Sequence, residues 1–270
     1  MKHGTDQIHE LVVSLQTFIQ IEWSGGNMVE VHPLIIVGAG GFGRETLDLL
    51  RVVDPHESCW KFIGFVAGGD ANLKQLERLG AIWLGDDEAF LRSPSATHYV
   101  AAIGDTAIRR RIVDRYNAAG LIPITLIHPS ATIGSDVRIG EGSVICAHTS
   151  ITTNVDIGRH VHVDRVTTVG HDSVIEDFVT LHPSSVISGR VRIRSGTRVG
   201  TNSCVLPGLT VGRNVVVGAG AVVTRDVPAS IVVTGVPAVP VQARPTSFEP
   251  TLVHDSQHYT PGPLASFDGP

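Results

Sequence analysis

The sequence predicts two architectures in one chain, an α/β domain followed by an all-β column wound from short flat rungs. Two observations carry that expectation. Sixteen positions spaced six residues apart, from Ile133 through Ile151, Val169, Ile187 and Val205 to Val223, are all branched aliphatic, without a slip in register. A glycine motif, GAGGFG at 38–43, directly follows the apolar run HPLIIV at 32–37.

A helix repeats its buried face about every 3.6 residues and a strand about every two. A strict period of six fits neither, so each repeat is a short strand followed by a corner. Three such sides close a triangle, one coil is 18 residues, and about five coils stacked roughly 4.8 Å apart make a prism on the order of 25 Å tall. The aliphatic residue points inward. The residue two before it is small or valine, as in Ala131, Ser143, Val155, Thr167 and Ser173, and fits beside the corner. The residue after it is often glycine (134, 140, 158, 170, 200, 212, 218), which suits a corner backbone.

Upstream, the strand at 32–37 and the glycines Gly38, Gly40 and Gly43 read as a Rossmann-like turn into a helix, whose first N–H groups can hold an anion. A dinucleotide fold also places an acid after the second strand, about 20 residues past the glycines. Here FIGFVAGGDAN offers Ala67, Gly68 and Gly69 before Asp70, so NAD is not the expected ligand. A helix near 71–79, a strand THYVAAIGD at 97–105 and a helix at 107–119 complete this domain. The expected organisation is a helical extension at 1–30, a Rossmann-like domain at 31–126, the column at 127–240 and a flexible tail at 241–270, rich in Pro, Ser and His. In the extension, Ile8, Leu11, Val12, Leu15, Phe18 and Ile19 share one face of a helix drawn over 6–21.

The sixfold pattern resembles the hexapeptide-repeat acyltransferases, whose column is a left-handed parallel β-helix. With the GAGG turn, AIGD at 102–105 and IHPSA at 127–131, the chain resembles over residues 33–240 the nucleotide-amino-sugar N-acetyltransferases and the sialic-acid O-acetyltransferases. That resemblance implies a Rossmann-like domain plus an all-β left-handed parallel β-helix. It implies a homotrimer with sites between subunits, a nucleotide-linked amino sugar as substrate, and acetyl-CoA as co-substrate. Gly38, Gly40, Gly41, Gly104 and Asp105 become candidates for cradling the nucleotide, with Asp70 standing in for the family's missing acid. Each of these glycines has an alternative as a plain tight turn.

Phase places the chemistry. His171 lies two residues after inward Val169, beyond Gly170, so its ring leaves the prism at an edge. One coil above it stands Gly189, whose N–H no side chain shields. An imidazole that takes a proton beside a donor for a thioester oxyanion suits acyl transfer. The resemblance likewise makes His171 the general base, with Asp172 fixing its tautomer and Gly189 as oxyanion donor. Asp164 stands where relatives often carry Asn, and it joins His182 as a candidate for the acceptor pocket. His160 and His162 read as outward, and Glu176 and Asp177 as solvated corner residues. The resemblance places coenzyme A at Gly218, Ala219, Gly220 and Ala221, with Gly235 and Pro237 of GVPA closing the end. Val239 replaces the basic residue usual after GVPA, so Arg244 or Arg225 is left to meet the phosphates.

Other classes fit poorly. The formal net charge of −5, with 17% charged residues, provides no field for nucleic acid. Three scattered cysteines make neither a disulfide framework nor a CxxC site. No apolar run approaches the roughly 18 residues of a membrane span, so a cytoplasmic protein is expected. A related prism binds zinc through an HxxxxH pair, and no two of His148, His160, His162, His171 and His182 have that spacing, so no metal is expected. Two alternatives to N-acetylation stand: a sugar O-acetyltransferase, and a non-catalytic sugar-nucleotide-binding scaffold.

Overall fold

A computed structural model describes residues 20–24, 27–69 and 72–241. The first element is a pair of antiparallel strands, β1 (Gln20–Ser24) and β2 (Asn27–Val37), with Ser24 opposite Asn27 and Gln20 opposite Val31. Most of the expected helix at 6–21 lies outside the described residues, but Gln20 and Ile21 open β1 and residues 27–30 belong to β2. Over residues 20–24 and 27–30 the extension is therefore strand, not helix. QIEWS alternates polar with apolar throughout and VEVH does so over residues 29–32, and that period-two pattern favours strand.

The second half of β2 is flanked in parallel by β3 (Trp60–Val66) and β4 (His98–Ala101), and β5 (Ile122–Pro123) pairs with β4. Helices α1 (Gly41–Val53), α2 (Leu73–Arg78), α3 (Asp87–Arg92) and α4 (Thr106–Ala118) make the connections. Leu34 and Ile36 pack on one side with Leu47 and Phe65. Ile35 and Val37 pack on the other with Tyr99 and Tyr116. A strand buried on both faces needs a continuous apolar run, which is why LIIV shows no alternation. The strand order is β3-β2-β4-β5, so the winding reverses between β3 and β4. The resulting crevice lies at the carboxyl ends of β2 and β4, where open α/β sheets bind ligands.

The rest is the column, a left-handed parallel β-helix. Each rung pairs with the rung 18 residues on: Ile151 with Val169, Ile157 with Ile175, Val163 with Leu181. Three sheets result. The first holds the rungs from Thr132–Ile133 to Val222–Val223, and the second those from Val137–Ile139 to Thr210–Val211. The third runs from Leu126–Ile127 to Val232–Thr234 and is closed by an antiparallel strand, Val239–Val241. The column thus extends past the periodic sequence at both ends. After Val223 the spacing shortens, and Val217 pairs with Val233 rather than with a residue 18 on.

Corner chemistry differs from the expectation in one respect. The left-handed backbone falls three residues after each inward position, at His148, Asn154, His160, Val166, Asp172, Phe178, Ser184 and Arg190, with φ between 53° and 60°. The glycines directly after the inward position are instead demanded by the coil above. A methyl on Gly170 would lie 2.6 Å from Gly189 N, and one on Gly200 2.6 Å from Ala219 N. The small residue before each rung has a second use. Ser173 Oγ donates to Ser188 O at 3.0 Å and accepts from Val191 N at 3.2 Å, and Thr197 repeats the arrangement with Gly212 O and Val215 N. These hydroxyls satisfy corner groups that the rungs leave unpaired.

The α/β domain docks on the third sheet. Val144 joins its core on one side, and Phe178 joins the cluster of Tyr99 and Tyr116 on the other. At one edge Arg165 meets Glu45 of α1 at 2.9 Å, and at the other Thr106 of α4 donates to Gly196 O at 3.1 Å. His160 and His162, expected to face outward, are 3% and 1% exposed: the docked domain covers His162 through Arg109, Ala101 and Phe42, and His160 stacks on Phe178 of the next coil. Glu176 and Asp177 are not simply solvated: Glu176 pairs with Arg192 and accepts from Ser195 N, and Asp177 pairs with Arg159.

Candidate active site

His171 lies on the turn after Val169, on the edge between the first and second sheets, which is the edge opposite the docked domain. Its side chain is 53% exposed, and its Nδ1 is 2.7 Å from Asp172 Oδ2. Asp172 holds the left-handed corner conformation, with φ 58°. One coil below, Asn154 Nδ2 donates to its other oxygen at 3.3 Å. The hydrogen bond from His171 is the largest of the effects that hold the Asp172 carboxyl below the usual carboxylate range. A carboxylate can only accept, so Nδ1 carries the proton and Nε2 presents a lone pair. That lone pair points at Gly189, where a methyl group would lie 2.5 Å from Nε2. Gly189 N finds no acceptor among the described residues, while its carbonyl accepts from Gly208 N at 3.0 Å. His171, Asp172 and Gly189 are thus brought together as expected. Asn154 and Gly170 are additions: Asn154 lies 18 residues before Asp172, and Gly170 lies under the Ser188–Gly189 peptide of the next coil.

The second cluster is the crevice of about 560 Å³ at the ends of β2 and β4. Its glycines serve two purposes. Gly38 has φ 107° and a methyl there would lie 2.7 Å from Ala102 O, while one on Gly43 would strike Gly38 O, so both are required by strand-to-helix packing. Gly40, Gly41 and Gly104 have nothing within 4 Å of that position, so packing alone does not call for glycine there. No side chain caps α1 and its first turn holds no acid, which leaves its N–H groups open to an anion. Asp105 accepts from Ala107 N and Ile108 N of α4. That carboxylate caps a helix and makes the α4 start the poorer seat for a phosphate, a role unlike the direct contact expected of it. Arg44, Asn72 and Asp87 also line the crevice and were not singled out from sequence. Asp87 accepts from Tyr116 OH at 2.8 Å. Asp70 lies outside the described residues.

Asp164 and His182 stack 18 apart on the edge between the third and first sheets, not on the edge of His171. Asp164 is 8% exposed; burial, ahead of its other influences, raises its pKa, although Arg165 N donates to it at 2.7 Å. Burial likewise lowers that of His182. Gly218, Ala219 and Gly220 continue this same edge, and Ala219 and Gly220 are exposed. Ala221 is fully buried, with its N–H bonded to Gly218 O and its carbonyl to Cys204 N, so it forms the wall of the corner rather than a contact surface. Gly235 O accepts from Val222 N, and with exposed Pro237 it closes the end of the column. Arg244 lies outside the described residues. The edge of Asp164 and Gly218 and the edge of His171 border one common sheet, the first, which the α/β domain leaves uncovered.

A triangular column with an imidazole–carboxylate pair on one edge, preceded by an α/β unit with an anion-ready crevice, defines a hexapeptide-repeat acyltransferase. Residues 33–116 match the PglD N-terminal domain family, and residues 190–225 match the bacterial transferase hexapeptide (six repeats). The chain belongs to the hexapeptide-repeat acetyltransferases. It is 33% identical over 145 residues to GDP-perosamine N-acetyltransferase of Escherichia coli O157:H7, a match spanning 53% of this chain and 64% of that relative. It resembles a histidine-to-asparagine variant of perosamine N-acetyltransferase from Caulobacter crescentus, solved with CoA and GDP-perosamine, with TM-score 0.69 and 28% identity over 83% of this chain and 100% of that one. The acetyltransferase domain of PglB from Neisseria gonorrhoeae, solved with acetyl coenzyme A, matches with TM-score 0.69 and 32% identity over 78% of this chain and 99% of that one.

Proposed function

We propose that this chain is an acetyl-CoA-dependent N-acetyltransferase acting on the amino group of a nucleotide-linked deoxyamino sugar, with His171 as general base. In this reading residues 31–126 bind the nucleotide and residues 127–240 carry the transfer. The observation that carries the proposal is the His171–Asp172 pair, with Nε2 aimed at Gly189 on an open edge.

Nε2 takes a proton from the sugar amine as its nitrogen attacks the thioester carbonyl. Asp172 accepts a hydrogen bond from Nδ1–H and stabilises the imidazolium that forms. The carbonyl oxygen, now an anion, accepts from Gly189 N–H. Collapse of the tetrahedral intermediate breaks the carbon–sulfur bond and releases coenzyme A, with the proton held by His171 available to the departing sulfur.

The crevice takes the nucleotide, its diphosphate at the α1 start beside Arg44. Asp87, with one oxygen fixed by Tyr116, presents the other to a base. A carboxylate matches the paired N–H donors of guanine and opposes the carbonyls that flank the N–H of uracil or thymine. Guanine also agrees with the nucleotide named for the perosamine relatives. Because the α/β domain covers the third sheet while His171 stands on the opposite edge, a sugar seated in one subunit's crevice meets the His171 of a neighbour, as in a homotrimer with shared sites.

The test is thiol release from acetyl-CoA with GDP-, UDP- and dTDP-linked 4-amino sugars. We expect turnover with the GDP compound and a loss of about 10²- to 10⁴-fold in His171→Ala. Unchanged turnover in that variant removes the mechanism, and no turnover in the parent with any amino sugar removes the reaction.

A further inference from the structure

His162 and Arg109 have no part in the chemistry described above, yet they are among the most completely enclosed polar side chains of the protein, 1% and 0% exposed. They meet where the α/β domain rests on the column. Arg109, on α4, donates through NH2 to Phe178 O, Val179 O and Thr180 Oγ1 of the third sheet and its corner, at 3.0, 3.2 and 3.0 Å. Its NH1 donates to Ile103 O at 2.7 Å and lies 3.0 Å from His162 Nδ1. His162 Nε2 lies 3.0 Å from Ala101 O. Guanidinium only donates, so Nδ1 must accept and Nε2–H must be the donor to Ala101. The tautomer is fixed, and a second proton on the ring would face Arg109.

Both contacts within the α/β domain fall on the segment that forms one wall of the crevice. Ala101 ends β4, Ile103 follows it, and Ala102 N donates to Val37 O at 2.8 Å, just before the Gly38 turn. The other wall is tied to the same imidazole: Phe42, in the first turn of α1, lies 4.7 Å from the His162 ring, centroid to centroid. A buried guanidinium that hydrogen-bonds to no carboxylate, anchored on carbonyls, a hydroxyl and a neutral ring, is an expensive way to hold two units together, since burying a charge costs far more than burying an apolar group of that size. What it provides is direction, because the planar donor fork fixes angles as well as distance.

We infer that His162 and Arg109 are positioning residues: they lock both walls of the nucleotide crevice to the column, and so set where the sugar amine arrives relative to the transfer edge. This rests on the acetyltransfer reading above, and it deepens that reading by naming what aligns the two substrates. Misplacement of about 1 Å far from the chemistry can lower a rate by roughly 10²-fold.

The experiment compares the parent with His162→Leu, which removes both polar contacts, His162→Gln, which can keep a donor toward Ala101 O, and Arg109→Lys, which keeps charge without the fork. Folding is checked by circular dichroism, GDP affinity by calorimetry, and steady-state constants for acetyl-CoA and the amino-sugar nucleotide are measured well below the melting temperature. Expected are a fall in kcat of about 10- to 100-fold in His162→Leu and Arg109→Lys, a smaller fall in His162→Gln, and an unchanged KM for acetyl-CoA. Folded variants with kcat within about twofold of the parent would refute the inference, because a merely structural role lowers stability without touching kcat. Hydrogen exchange over residues 101–106 gives a readout independent of turnover. It should quicken in His162→Leu while the 60–66 strand stays protected, and no change there also overturns the inference. If the parent shows no turnover, the acetyltransfer reading has failed while exchange still decides whether the joint exists.

Discussion

At the scale of the residue, the site is a matter of what glycine leaves open. Gly189 exposes an amide above an imidazole, and Gly170 lets that amide approach from the coil above. Gly170→Ala places a methyl 2.6 Å from Gly189 N, so the oxyanion donor must shift; we expect kcat to fall roughly 10²-fold with acetyl-CoA still bound, measured as kcat against KM. Asp87→Asn should remove the preference for GDP over UDP in a thermal-shift series, and retention of the preference would count against Asp87 as base reader. His171 and Gly189 were legible from sequence because a strict period converts residue number directly into position, and Asp172 through the family resemblance. Arg109 was not, since nothing in TAIRRRIVDRYNA distinguishes the arginine that is buried from its exposed neighbours until the docking face is known. His162 was misread for the same reason: repeat phase says outward, and outward on the third sheet means into another domain.

At the scale of the element, each coil combines apolar rungs with polar corners, and these respond differently to substitution. Ile175 is fully buried at the centre of its column, and Ile175→Ala should lose about 2–5 kcal/mol in chemical denaturation, since neighbouring coils cannot collapse into the space. Val166 takes a corner conformation with φ 59° and is 54% exposed. A β-branched residue there carries about 1–2 kcal/mol of strain, so Val166→Asn should raise the melting temperature by a few degrees. The rungs could be read in advance to the residue. The corner could not, because the position that needs a left-handed backbone carries Asn, Asp, Ser and His but also Val, Phe and Arg, and the run of glycines two places earlier answers a contact between coils. The strand pair at 20–37 was hidden behind an apolar pattern that two periods could claim.

At the scale of the whole molecule, stability should depend on acid through histidines held neutral by burial. Burial is the first cause of the lowered pKa of both, with the Arg109 charge second; His160 falls from 6.5 to about 4 and His162 well below its ordinary value. Above pH 6.5 these rings are neutral in both folded and unfolded chains and make no difference. As pH falls below 6.5 the unfolded chain takes up protons that the fold refuses, so stability declines with a slope of about 1.4 kcal/mol per pH unit for each such histidine. For His160 that decline continues to about pH 4. Denaturation curves between pH 7 and 4.5 should show this, and His160→Asn, which suits the corner backbone, should lessen the slope. Sites shared between subunits make a separate prediction. A His171→Ala chain and an Arg44→Glu chain, each inactive alone, should regain about a quarter of the parental rate when assembled together at random; failure to regain any would place each site within one chain. The 18-residue repeat also governs which changes in length the chain tolerates. Removing 18 residues from the middle of the column would lower everything above the cut by one storey and keep each side chain facing the same way. Removing six would turn the upper storeys by a third of a revolution, and every edge beyond the splice would face a different neighbour.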